Sequence, residues 1–163
     1  MTKEIPHALT IDESQAIIDA FAQAAGRVQA AGFDAVEVLS GTGYLISEFL
    51  SPLTNQREDD YGGDMTNRMR FGLEVMQAIR REVGEDFPVI VRMNGNDFMV
   101  DGQDRSELQT YARALQEDGR VDALSINVGW HEARVPQITT AVPRGAFAYL
   151  ARAIKTQVSI PVI

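Results

Sequence analysis

Three residues able to do acid–base or electrostatic chemistry follow apolar runs in this sequence. Tyr44 comes after "DAVEVLSGTG", Arg92 follows "PVIV", and His131 sits in "NVGWHEARVP", directly beyond the run "VDALSINV". A phenol so placed can donate a proton or hold an oxyanion; the alternative is a packed ring with its hydroxyl tied to backbone. An imidazole is the natural proton shuttle near neutral pH, or else a structural hydrogen-bonding group. A guanidinium on a buried strand needs an anionic or carbonyl partner, because leaving it unpaired is costly. Two partners stay open for Arg92: Glu37, also at a strand end, or the electron-rich edge of a cofactor. His7 and His131 are the only histidines, and with no cysteine in the chain they offer no zinc site.

The elements that position these groups repeat. Thr10 with Glu13 reads as a capping box, so a helix begins just after Thr10. Ile17, Phe21, Ala24, Val28 and Ala31 then recur at the spacing of one buried stripe. Gly32 closes the helix in a left-handed conformation, and "DAVEVL" follows as a strand. The unit returns as a helix from about Asn67 to Val83, Gly84 and "PVIVRM". It returns again as a helix from about Ser106 to Glu117, Gly119 and "VDALSINV". A fourth round, "GAFAYLARAIKTQVSIPVI", reaches the start of its strand. Gly41 and Gly43 turn the backbone sharply and place Tyr44 at the start of a short helical segment. Tyr61–Gly63 is a tight turn, and Arg68, opening the second helix, bonds carbonyls of the long loop before it.

Helix–strand rounds with apolar strands specify a parallel sheet covered by helices. The loops after the strands are long and varied, whereas those before them are short and closed by glycine. Ligands gather at the carboxyl ends of such strands, so Tyr44, Arg92 and His131 mark the functional edge. No G-x-G-x-x-G turn follows any strand, which argues against a dinucleotide-binding Rossmann domain. The better expectation is a TIM (β/α)8 barrel. A complete one takes about 250 residues, so residues 1–163 form one domain that is part of such a barrel.

Fifteen Lys+Arg against 23 Asp+Glu give a net charge of −8, which disfavours nucleic acid and anionic membranes as partners. The absence of cysteine excludes disulfides and iron–sulfur ligation within this segment. No run reaches the length of a membrane span and "MTKEIPHALT" lacks a signal-peptide pattern, so a cytoplasmic protein is expected.

The runs "GYLISEFLSPLTNQREDDYGGDMTNRMRF", "PVIVRM" and "NVGWHEARVPQITTAVPRGAFAYL" resemble the old yellow enzyme superfamily of FMN-dependent oxidoreductases. "GWHEAR" followed by "VPRGAF" is similar to the branch of NADPH-dependent 2,4-dienoyl-CoA reductases, with trimethylamine and histamine dehydrogenases as cousins. The resemblance covers the chain from about Leu9 onward and maps it onto the fourth strand to the start of the seventh. It implies FMN as cofactor and NADPH or NADH as electron source. FAD and a 4Fe-4S cluster belong to the longer members of the branch, outside this segment. It also implies that Tyr44 donates a proton, that His131 assists it, and that Arg92 faces the flavin pyrimidine edge. Where most ene-reductases carry a His-x-x-His or His-x-x-Asn pair, this chain has Leu39 and Thr42. That departure speaks against a simple enone reductase and fits a thioester substrate.

Three readings follow. One is reduction of conjugated carbon–carbon double bonds in an acyl-CoA, the small-molecule partner; another is amine dehydrogenation; the third is a half-barrel without catalysis. An open piece of barrel would leave "DAVEVL" and "SIPVI" as strand edges beside a broad apolar face. Self-association through those edges and weak FMN binding are then expected of the chain alone.

Overall fold

The computed structural model describes residues 7–134 and 140–163. Helix α1 (Ile11–Ala30) opens with the expected capping box: the Glu13 N–H donates to Thr10 Oγ1 at 3.1 Å, and the Thr10 N–H to the Glu13 carboxylate at 2.8 Å. Gly32 takes the left-handed conformation beyond its end (φ 84°). The buried face is turned by one residue from the expected stripe. Ser14, Ile18 and Ala25 are buried, Ile17, Phe21 and Val28 flank them, and Ala31 is exposed. Small side chains decide this, because α1 packs closely on helix α3 (Met65–Val83). A Cβ on Gly26 would lie 2.7 Å from the Glu82 carboxylate.

Strand β1 (Val36–Ser40) leads through the short helix α2 (Leu45–Leu50) and α3 to strand β2 (Val89–Asn94). Helix α4 (Arg105–Glu117), strand β3 (Ala123–Asn127) and helix α5 (Ala148–Lys155) complete the described elements. Two helices start earlier than their apolar pattern suggests, because an aspartate caps each. Asp64 accepts from the Asn67 N–H at 3.0 Å, and Asp104 forms a capping box with Glu107. After α4 the left-handed residue is Arg120 (φ 53°) rather than Gly119, whose lack of a side chain instead admits the Leu115 carbonyl.

The three strands are parallel in the order β1-β2-β3, with Val36 beside Val89 and Ile90 beside Ala123. Residues 161–163 begin a further parallel strand on β3: the Leu124 N–H donates to Pro161 O at 3.0 Å and the Ile163 N–H to Leu124 O at 2.9 Å. Val38, Val91, Met93 and Leu124 are buried in one core with Phe71, Val75, Met76 and Ile79 of α3 and Leu108, Tyr111 and Leu115 of α4. Tyr111 shares a 2.9 Å hydrogen bond with Ser40 Oγ, and Gly72 leaves room for its hydroxyl.

Glu37, Leu39, Ile90, Arg92, Ser125 and Asn127 alternate with that core, and none of them is fully buried. This corrects two expectations. The uncovered face is not broadly apolar, since its positions near the carboxyl edge carry polar groups. Nor is Arg92 a buried guanidinium, because its side chain is 47% exposed. The buried guanidinia are those of Arg68 and Arg80. Arg68 donates to Leu50 O and Gly63 O and pairs with Glu107, which bears out its expected role on the loop carbonyls. Arg80 ties the carbonyls of Gly84, Phe87 and Arg120 to Asp122. Among the described residues, no helix is long and apolar enough to cross a membrane.

Candidate active site

Tyr44 and His131 occupy equivalent places, each the fourth residue beyond its strand, after Ser40 of β1 and Asn127 of β3. Tyr44 is the N-cap residue of α2 but its side chain makes no capping bond, and it is 52% exposed. The reading of Tyr44 as a packed core ring is thereby set aside. Its ring meets the imidazole of His131 edge to face, with centroids 5.3 Å apart and planes at 70°.

The turn that delivers Tyr44 is tightly specified. Gly43 has φ 87°, and a Cβ there would lie 2.8 Å from the Trp130 ring, so only glycine lets the indole pack on the turn. Thr42 is also left-handed (φ 64°), an uncommon state for a β-branched residue. It is held by hydrogen bonds: its N–H donates to Asn94 Oδ1 at 3.1 Å, and its carbonyl accepts from the His131 N–H at 3.3 Å. Ser47 Oγ, buried beneath, accepts from the Gly43 N–H at 3.0 Å.

Thr42, Arg92, Ile126, Asn127, Gly129, Trp130 and His131 are among the residues lining a cleft of about 350 Å³ at the carboxyl edge. Trp130 walls it, at 8% exposure. Arg92 donates to Asn127 Oδ1 at 3.2 Å and lies 3.9 Å from Glu37, a loose contact between two half-exposed groups. Such an exposed pair contributes little. Both partners left open by the sequence are therefore compatible: Glu37 lies near the guanidinium without engaging it fully, and the cleft meets its other side. A cation with planar donors at this edge suits the electron-rich pyrimidine side of a flavin. Tyr44 is not among the residues that line the cleft; its ring stands beside it, against His131.

Several members of this site are not evident from the sequence. Asn94, Asp97 and Asn127 form a chain of hydrogen bonds beneath the cleft, with Asn94 at 2% and Asp97 at 1% exposure. Burial pushes the Asp97 carboxyl above its usual range, partly offset by donation from Asn94 and from the Gln103 N–H. Glu48 and Glu132 flank the Tyr44 turn, and the Glu48 carboxyl is raised by burial and then by the charge of Glu132. Glu48 lies four residues after Tyr44, one helical turn, which was the available signal.

A family model for the NADH:flavin oxidoreductase / NADH oxidase family matches residues 1–163. The chain belongs to that family. It is 53% identical over 163 residues to the metal reductase of Desulforamulus reducens and 40% identical over 159 residues to the NADH oxidase of Thermoanaerobacter brockii. It spans 24% of the length of each. Among solved structures it superposes on 2-naphthoyl-CoA reductase in complex with 2-naphthoyl-CoA at a TM-score of 0.91 and 36% identity. That match covers 96% of this chain and 24% of the other. Histamine dehydrogenase from Rhizobium sp. 4-9 follows at 0.83 and 28%, over 96% and 22% of the two chains. The old yellow enzyme homologue of Zymomonas mobilis gives 0.77 and 27%, over 98% and 43%. The parallel sheet is thus a portion of an old yellow enzyme-type TIM barrel, and the family is one of flavin oxidoreductases.

Proposed function

We propose that this chain carries the proton-delivering part of an FMN-dependent, NAD(P)H-linked reductase of conjugated carbon–carbon double bonds in acyl-CoA thioesters. The observation that carries the reading is the contact between Tyr44 and His131 beside the cleft that Arg92 lines. Arg92 would hold the flavin pyrimidine edge, with the Asn127 amide fixing the guanidinium. When bound, the flavin supplies a hydride to one end of the conjugated system. The half-exposed Tyr44 hydroxyl delivers the proton at the other end, at the carbon next to the thioester carbonyl. His131, in edge contact with the phenol, steadies it and returns a proton to it. Delivery in step with hydride addition avoids a thioester enolate, a high-energy species. Trp130 and Gly129 wall the space in which this occurs.

The likeness to 2-naphthoyl-CoA reductase supports a thioester over an amine. So does Trp130: a cation cage needs an open aromatic face, and this indole is buried on Gly43. A second reading rests on the 53% identity to a metal reductase. Reduction of a metal species places no proton on carbon and makes no demand on Tyr44 or His131. Product analysis with the complete enzyme separates these: oxidation of one NAD(P)H per 2,4-dienoyl-CoA reduced to an enoyl-CoA is expected. Turnover of an amine or a metal salt without any with the thioester would overturn the proposal.

A further inference from the structure

The buried amide of Asn94, at the end of β2, bonds to the segments that follow β1 and β2 and to the end of β3. Its Oδ1 accepts from the Thr42 N–H and from Asn127 Nδ2, each at 3.1 Å, and its Nδ2 donates to Asp97 Oδ1 at 2.8 Å. The orientation is forced rather than chosen. A backbone N–H can only donate, so Oδ1 must face Thr42 and Nδ2 is left for the carboxylate of Asp97. The neighbouring amide obeys the same logic. Arg92 can only donate, so Asn127 Oδ1 faces it, and Asn127 Nδ2 is directed at Asn94 Oδ1 and Gly129 O. One continuous chain, Arg92 to Asn127 to Asn94 to Asp97, therefore runs beneath the cleft.

Two members of that chain, Asn94 and Asp97, hold the segments that carry the reacting groups. The bond to Thr42 holds a left-handed β-branched residue two positions before Tyr44, and Thr42 O in turn receives the His131 N–H. Asp97 O receives the Trp130 N–H at 3.1 Å, which fixes the residue before His131. Gly41 leaves the space for this: a Cβ there would lie 2.7 Å from Asn94 Oδ1. Shorter polar side chains could not span Thr42 and Asp97, and an apolar one would strand a part-buried N–H and a buried carboxylate.

We propose that Asn94 is a positioning residue of the reaction, setting where Tyr44 and His131 stand relative to one another. It rests on the reading of Tyr44 and His131 as the proton-delivering pair. Because a misplacement of about 1 Å can cost about 100-fold in rate, the effect should fall on the proton-dependent step.

The test uses the complete flavin-loaded enzyme and measures its two half-reactions separately, with 2,4-dienoyl-CoA as oxidant. Asn94→Ala should slow reoxidation by the thioester about 100-fold and raise its solvent deuterium isotope effect. Flavin content and the rate of flavin reduction by NAD(P)H should change far less. Asn94→Asp keeps the shape and both acceptor bonds but loses the donor to Asp97. It should be slow at neutral pH and recover as pH falls, when its carboxyl regains a proton to donate. Equal losses in both half-reactions with loss of flavin, or no loss in either, would overturn the proposal, as would an Asn94→Asp profile parallel to wild type. Tyr44→Phe is run beside them. If it slows reoxidation and the Asn94 variants do not, only the positioning role fails; if it too is without effect, the proton-delivery reading fails with it.

Discussion

The ring of Tyr44 stands edge-on to the imidazole of His131, centroids 5.3 Å apart, although 86 residues of chain separate them. Two strand ends and one glycine turn produce that contact. The turn brings Tyr44 up, and Trp130, packed on Gly43, brings His131 across.

Gly43→Ala should therefore damage the pair without touching either ring. The new methyl needs a left-handed backbone and the space of the indole, so a stability loss of about 1–3 kcal/mol is expected. Thermal unfolding should register it, and thioester reduction should fall further than flavin content does. A variant with wild-type melting and rate would contradict the packing described.

Arg68→Ala should be among the most damaging single changes to the fold. It strands two carbonyls and the Glu107 carboxylate around a buried site, and breaking such a buried pair costs about 3–5 kcal/mol. Arg92→Ala, by contrast, removes a half-exposed group and should lower flavin affinity with little effect on melting temperature. Denaturant midpoints and flavin titration of the two variants should give opposite rankings.

Asp97 sets a pH dependence whose sign follows from its burial. A carboxyl raised in the folded state binds its proton more tightly there than when unfolded. Its stabilising contribution is complete below the unfolded value, about 3.9, and is lost as pH rises through the folded one. Wild type should thus lose stability relative to Asp97→Asn as pH climbs from the ordinary carboxylate range toward neutrality. Urea midpoints of both proteins across that range check it, and a constant difference would contradict it.

The chain expressed alone as residues 1–163 should self-associate. Among the described residues β1 pairs only with β2, and residues 161–163 offer a second edge beyond β3. Light scattering should show a dimer or larger species; a stable monomer would contradict this expectation.

The scaffold was legible because its signals are local. Thr10 with Glu13, Gly32 and Gly84 each announce a helix boundary through backbone chemistry that holds whatever packs nearby. Tyr44 and His131 were legible because they follow strands on the side where such sheets bind ligands. Asn94, Asp97 and Asn127 were not, since asparagine and aspartate after a strand read as turn formers. Only the fold shows that their partners lie up to 52 residues away, as from Thr42 to Asn94. Arg92 was misjudged for a related reason: an apolar run identifies a strand but does not say which of its two faces the helices cover. Arg80 was missed because a basic residue in the last turn of a helix ordinarily faces water.

The most direct test of the central claim is a double-mutant cycle of Tyr44→Phe and His131→Ala in the complete enzyme, read in reoxidation of the flavin by 2,4-dienoyl-CoA. Two residues serving one proton transfer should each slow that step, and the double variant should lose less than the product of the two separate losses. Fully multiplicative losses would mean separate roles for the two residues. Unchanged rates in both single variants would contradict the account outright.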